Sequence, residues 1–314
     1  MGVVALAGGV GGAKLAAGLQ ATIGHDLTVI VNTADDLERH GLIVCPDHDT
    51  VMYTLAGLED RIQGWGLRDE TFAAATMLER YGEETWFRLG DRDLATHVAR
   101  TARLRAGGRL SAVNLELQRS LGVRATILPM SDDPIRTMVR TDEGWLEFQE
   151  YFVHRHQAPE VREIRFDGID RAEATARVRG ELGFAGTIVI GPSNPMVSIG
   201  PILAVPGVRD LLLAARRAGT PVLAISPIVG GKALKGPADR MLASLGHEPS
   251  ALGVARLYAG LIDGFVLDAV DAALAAAVEA LGMASLVTDT IMTDDASRER
   301  LAREVLAFGR TVRA

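Results

Sequence analysis

The chain has 314 residues, 48% of them hydrophobic and 23% charged. That balance belongs to a folded globular protein and excludes disordered, collagen-like and coiled-coil readings. A formal net charge of −7 argues against nucleic acid as a partner while leaving room for a local anion pocket.

Val3 to Ala7 is a short apolar run suited to a buried strand, Gly8 to Gly12 reads as a loop, and Lys14 to Gln20 carries helical spacing with Leu15 and Leu19 on one face. This opening lacks the basic start and cleavage site of a secretory signal, so a cytoplasmic location is expected. No apolar run reaches the roughly 18 residues of a membrane span, so no membrane partner is expected. Leu27 to Val31 supplies a second buried strand and closes a β-α-β unit, which implies a parallel sheet. One cysteine, Cys45, excludes an intrachain disulfide and a thiolate zinc cage; a small buried residue is its expected role.

From Asp49 to about Leu121 the pattern is mostly helical, with Asp49 or Thr50, Asp69, Asp93 and Ser111 as cap candidates. A helical insertion over 49–122 is predicted. Ala125 to Leu128 returns to strand character. Thr137 to Arg140 and Trp145 to Val153, separated by TDEG, predict a β-hairpin appendage over 137–153. Trp145, Phe148, Tyr151 and Phe152 concentrate aromatic surface there, which predicts a homodimer contact. Strands at Thr187 to Ile190, Pro221 to Ser226, Phe265 to Leu267 and Ser285 to Val287 alternate with helices at Gly207 to Ala218, Pro237 to Leu245 and Ser297 to Gly309. The expected fold class is α/β: one domain over 1–314, with a Rossmann-like, mostly parallel sheet and helices on both faces, carrying the insertion and the appendage.

Ligands of an open parallel sheet gather beyond the carboxyl ends of its strands. The loops there read GGVGGAK, NTADD, SDDP, GPSNP and SPIVGGKALKGP. Only three of the 33 basic side chains are lysines, and Lys14, Lys232 and Lys235 all lie in or beside glycine-rich loops, which points to a phosphate pocket. GGVGGAKL is not a Walker A loop, because Ala13-Lys14-Leu15 lacks the glycine and the metal-binding hydroxyl. Nor is it the dinucleotide fingerprint, whose sixth position here holds Lys14. What survives is a flexible backbone at a helix N-terminus, which favours an anion. Asp35, Asp36, Asp47 and Asp49 crowd four carboxylates into fifteen positions. Such acids repel one another unless a cation compensates, and hard oxygen ligands suit Mg²⁺; capping and solvation account for any single one equally well. SDD before Pro134 reads as a turn, and His154 and His156 as one solvated strand face. His48 and His97 are general-base candidates by composition alone.

Taken in order, GGVGGAK, VNTADDLERHGLIVCPDHDTVMYTL, GWGLRDET, LGDRDLATH, LPMSDDP, FQEYFV, GPSNPMVSIGPIL, SPIVGGKALKGPAD and TDTIMTD closely resemble the 2-phospho-L-lactate transferase family of coenzyme F-420 biosynthesis, from Met1 to about Asp294. The resemblance implies a Mg²⁺-dependent phosphotransferase. Its acceptor is the deazaflavin Fo and its donor a guanosine diphosphate ester of 2-phospholactate or phosphoenolpyruvate, with phosphoglycerate a further option. GMP leaves, and F-420-0 or its dehydro form results. It further implies Asp49 and Asp36 as catalytic carboxylates, Asp49, Arg88 and Asp91 toward Fo, and Asp36, Asp47 and Asp49 toward the metal. Gly9, Gly11, Gly12, Ser193, Asn194, Gly230, Gly231 and Lys232 fall to the nucleotide and its phosphates. Where the family pattern usually has an apolar residue this chain has His48. The alternative is a nucleotide or nucleotide-sugar binding regulatory protein of the same fold; GWGLRDET and LGDRDLATH in the insertion favour the transferase.

Overall fold

Short runs rich in Val, Ile and Leu form the strands of one sheet, because such side chains fit a pleated surface buried on both faces. In the computed structural model, which describes residues 2–312, these strands are β1 (Val3–Ala7), β2 (Leu27–Val31), β3 (Thr126–Pro129), β4 (Thr187–Ile190), β5 (Val222–Ile225), β6 (Gly264–Asp268) and β7 (Ala284–Thr288). Their spatial order is β7-β6-β5-β4-β1-β2-β3, and each pairing is parallel. The α/β, Rossmann-like sheet expected from the sequence is therefore present. Strand order reverses between β1 and β4, and that switch point leaves a crevice at the carboxyl ends.

Alternation along β1 sends Val4 and Leu6 into one core layer and Ala5 and Ala7 into the other. Helix α1 (Gly9–Ile23) and the C-terminal helix (Asp295–Val312) cover the Ala5 face with Leu15, Leu19, Leu301 and Val305. The two helices touch backbone to backbone at Gly18, where a Cβ would stand 2.1 Å from the Arg298 carbonyl oxygen. Helices Ala176–Gly183 and Val208–Arg217 cover the opposite face with Val178, Leu182, Val208 and Leu212. Among the described residues no helix is long and apolar enough to cross a membrane.

Between β2 and β3 the chain first makes a small antiparallel hairpin, Leu37–Arg39 with Leu42–Val44. It then runs through α2 (Pro46–Leu55), α3 (Ala73–Arg80), α4 (Asp93–Arg105) and α5 (Leu110–Ser120). Helix α2 thus starts before the expected cap at Asp49: Pro46 supplies its first helical residue and Cys45 its cap position. Cys45 is buried.

The segment expected as a hairpin over 137–153 pairs only Arg136–Thr141 with Gly144–Glu147, and a third strand, Glu163–Asp167, lies on the other side of the first. Glu150–His154 is a π-helical turn. The chain leaves the strand there because Phe148 stacks on Phe152, meets Tyr151 at a tilt, and encloses with them a small core of Val139, Val161, Val197 and Met241. Phe148 and Tyr151 are therefore spent within the chain rather than offered to a partner.

Candidate active site

After Ala7 the chain turns through Gly8 and Gly9 directly into α1. Gly9 has φ of 59°, a left-handed conformation that glycine adopts without a Cβ penalty. The glycines also let this loop touch the loop after β4. A Cβ on Gly11 would stand 2.2 Å from the Pro192 carbonyl oxygen, and one on Gly12 would stand 2.6 Å from Ser193 Oγ. Ser193 sews the loops together: its hydroxyl accepts from the Gly8 N–H at 3.1 Å and donates to the Gly8 carbonyl at 2.8 Å. Asn194 shapes the same loop by accepting from the Met196 N–H at 2.9 Å. At the mouth of α1 the Gly9 N–H donates to Asp47 Oδ1 at 2.7 Å, so a carboxylate sits where the helix favours an anion.

NTADD closes the other wall. Asn32 Oδ1 accepts from the Ala34 N–H at 2.9 Å, and Asn32 Nδ2 donates to Asp35 Oδ2 at 2.9 Å and to Asp47 Oδ2 at 3.0 Å. One buried amide thus bridges two buried acids. Burial pushes the Asp35 carboxyl well up, and the Asp47 charge beside it adds to the rise. Burial lifts Asp47 to about 6 against the hydrogen bonds of Asn32 and Gly9. Burial lifts Asp36 to about 7, opposed by the Cys45 thiol and the Arg100 charge. Asp35 Oδ1 and Asp36 Oδ1 have no hydrogen-bond partner among the described residues. Buried carboxylate oxygens left in this state are the hard donors that a divalent cation satisfies.

Asp49 differs from these three. Arg100 grips it with a two-pronged contact: Nη1 donates to Oδ2 at 2.9 Å and Nη2 to Oδ1. Burial alone would raise the Asp49 carboxyl, but the guanidinium holds it well below the usual carboxylate range. Arg100 Nε donates to Asn114 Oδ1 at 3.0 Å, which ties α4 to α5. His97 Nδ1 stands 3.7 Å from Asp49 Oδ2 and its Nε2 3.2 Å from Asp93 Oδ2, while the Tyr53 hydroxyl donates to Asp93 Oδ1 at 2.6 Å. Asp49, Asp93 and His97 bring ligand-type atoms within 4.8 Å of one another. A guanidinium fixed on Asp49 competes with a metal cation there. Of the expected metal ligands, Asp36 and Asp47 are paired only with neutral donors, and Asp35 joins them. His48 is buried beside Asp49, its Nδ1 3.9 Å from Oδ1, and burial lowers its pKa against the pull of the Asp49 carboxylate.

Other expected site residues fall elsewhere. Asp91 accepts from Thr71 Oγ1 at 2.6 Å and from the Ala73 and Ala74 N–H groups at 2.9 and 2.8 Å, so it caps α3. Arg88 lays its guanidinium over the Phe72 ring at 4.3 Å. Gly230 and Gly231, at φ of 57° and 77°, turn a tight hairpin, and the Gly230 N–H donates to Asp271 Oδ2 at 3.0 Å. The Lys232 side chain there is 80% exposed, 3.3 Å from Asp239. Lys14 is spent on the Met292 carbonyl at 2.8 Å and Lys235 on that of Gln63. Asp132 accepts from the Ser111 N–H and hydroxyl, so SDDP serves the start of α5. His154 belongs to the π-helical turn rather than a strand, and its ring stacks on Trp86 at a centroid distance of 5.0 Å.

A cleft of about 340 Å³ separates Leu37–Arg39 from the three-stranded sheet, lined also by Trp86, Trp145, Met138 and Gln149. One of its lining residues, Gln149, holds the loop that carries Asp35: its side-chain amide nitrogen is 3.5 Å from the Asp35 backbone carbonyl oxygen. Both indoles already carry partners: His154 stacks on Trp86, Arg39 lies 4.6 Å from its centroid, and Arg165 lies 4.1 Å from that of Trp145. Sequence reasoning missed Arg100, Asn114, Asn32 and Trp86. For Arg100 a signal existed: Asp93, His97 and Arg100, spaced four and three apart, share one helix face.

A family model described as 2-phospho-L-lactate transferase CofD matches residues 3–306. A phosphoenolpyruvate transferase of Streptomyces griseus subsp. griseus is 46% identical over 321 residues, with 100% of both chains covered. A 2-phospho-L-lactate transferase of Methanosarcina barkeri is 38% identical over 311 residues, covering 99% of each chain. A solved structure from Bacillus halodurans, a member of the UPF0052 family, is similar with a TM-score of 0.61 at 14% identity, over 97% of this chain and 98% of that one; it bears on the fold alone.

Proposed function

The chain belongs to the 2-phospho-L-lactate transferase family, and from that premise we propose that it moves a phosphorylated three-carbon acid from its guanosine diphosphate ester to the deazaflavin Fo. The terminal hydroxyl of Fo attacks the phosphorus that bears the acid, the bond to the GMP phosphate breaks, and the hydroxyl loses its proton. Phosphoenolpyruvate is the acid in this reading, because relatives of that name reach 46% identity against 38% for the phospholactate enzymes. The observation that carries the reading is one chain of contacts: Asp47 accepts from the glycine loop, Asn32 joins Asp47 to Asp35, and Gln149 joins the Asp35 backbone to a cleft of about 340 Å³.

In this reading the flat rings of Fo enter the cleft lined by Trp86 and Trp145. Asp49, kept ionised by Arg100, orients the attacking hydroxyl. Asp36 receives the proton on Oδ1, the oxygen without a partner, and its rise to about 7 gives it the proton affinity that such a base needs near neutral pH. Asp35 and Asp47 would hold Mg²⁺, which when bound neutralises charge on the diphosphate. Gly9, Gly11 and Gly12 with Ser193 and Asn194 line the donor side of the crevice. Lys232, exposed beside Asp239, is assigned to the leaving phosphate together with Gly230 and Gly231. Arg88 is assigned to the acceptor side, and Asp91 supports it only by capping α3.

The reading also makes the protein a cytoplasmic homodimer. Its aromatic support narrows to the half-buried Phe152, since Trp145 lines the cleft, and a monomer mass by light scattering at micromolar concentration removes it. The function is tested by incubating the protein with Fo, Mg²⁺ and each guanylylated acid, then weighing the deazaflavin product. The expected result is the phosphoenolpyruvate adduct. No adduct from phosphoenolpyruvate, phospholactate or phosphoglycerate donors contradicts the reading.

A further inference from the structure

Arg100 stands where the inserted helices meet the acid-bearing end of the sheet, and its side chain is 0% exposed. A guanidinium withdrawn from water persists only when its donors find partners. Here they do, on three elements. Nε reaches Asn114 on α5 at 3.0 Å, Nη1 and Nη2 grip Asp49 on α2, and Nη1 lies 3.5 Å from the Ile43 carbonyl in the small hairpin.

Cohesion alone does not call for such a pair, since apolar side chains of similar volume would join α2 to α4 at least as firmly. What an arginine fork adds is geometry and charge: it fixes the plane of a carboxylate and keeps it ionised, whereas a lysine offers one point of contact. The carboxylate so fixed sits two residues from Asp47, which itself caps the glycine loop. We infer that Arg100 is a positioning residue for the transfer, acting through Asp49 to set the acceptor side of the site by the placement of α4 and α5. The inference rests on the functional reading above.

Arg100→Lys keeps the charge and removes the fork. Initial rates are measured with Fo saturating and donor varied, then with donor saturating and Fo varied, each divided by the folded fraction from thermal unfolding. The expected result is a kcat lowered about tenfold or more with a donor KM within about twofold of wild type. Asn114→Ala leaves the fork but takes away its brace, and should show the same split at about threefold. A wild-type kcat per folded molecule in Arg100→Lys overturns the inference, as does a loss carried equally by donor KM, which a merely structural role would give. If Arg100→Lys does not fold, Asn114→Ala decides: an unchanged kcat overturns the inference, and a lowered kcat at constant donor KM supports it. Wild-type protein that makes no product with any donor overturns the functional reading and this inference with it. Active wild-type protein beside an unaffected variant overturns the inference alone.

Discussion

Four aspartates within fifteen positions end in two electrostatic states because of what each meets. Asp49 meets a guanidinium; Asp35, Asp36 and Asp47 meet amides, a thiol and backbone N–H groups. Removing the Asp49 charge strands Arg100, so Asp49→Asn should cost about 3–5 kcal/mol of stability, the penalty for a buried charge without its partner. Denaturant unfolding of the variant checks this, and an unchanged midpoint would show that Arg100 finds another acceptor. Asp36 has the opposite sign. Its folded pKa of about 7 lies above the unfolded value of 3.8, so the folded state holds an extra proton between them. That contribution is fully present below the unfolded value and is lost as pH rises through about 7. Asp36→Asn should therefore be more stable relative to wild type at pH 8 than at pH 5, by thermal unfolding at both. The buried His48 slopes the other way, but equally in both proteins, so it cancels in the difference. None of this was legible from spacing alone, since the four residues look alike until Arg100 arrives from 51 positions away.

At the scale of elements, the glycines of GGVGG do two jobs that sequence reading had merged into one phosphate cradle. Gly9 supplies a left-handed turn, whereas Gly11 and Gly12 make room for the loop after β4. Gly12→Ala should cost about 1–3 kcal/mol and also raise the donor KM, because its methyl displaces Ser193 at the crevice. Gly18→Ala should cost a similar amount by forcing α1 from the C-terminal helix, yet leave the donor KM of the folded fraction unchanged. Equal effects of the two on donor KM would remove the distinction. The strands were readable because each is a compact apolar run with turn residues on both sides. The small hairpin at Leu37–Arg39 and Leu42–Val44 was not, since three residues are too few to show a period. FQEYFV read as strand because its aromatics favour one, while their packing around Val139 and Met241 selects a helical turn.

Across the whole molecule, one reversal of strand order sets the architecture of the site. It brings the β1 and β4 loops into contact, and the insertion after β2 swings the acids, Arg100 and Trp86 over the same end of the sheet. In the proposed function, donor and acceptor sides of this crevice act in one phosphoryl transfer. The most direct test follows GMP and the deazaflavin product together, over time, from Fo and the guanylylated phosphoenolpyruvate, with Mg²⁺ and then with excess chelator. The expected result is that the two products appear in equal amounts with Mg²⁺ and that both stop with chelator. GMP released without deazaflavin product, or full turnover in chelator, would contradict it.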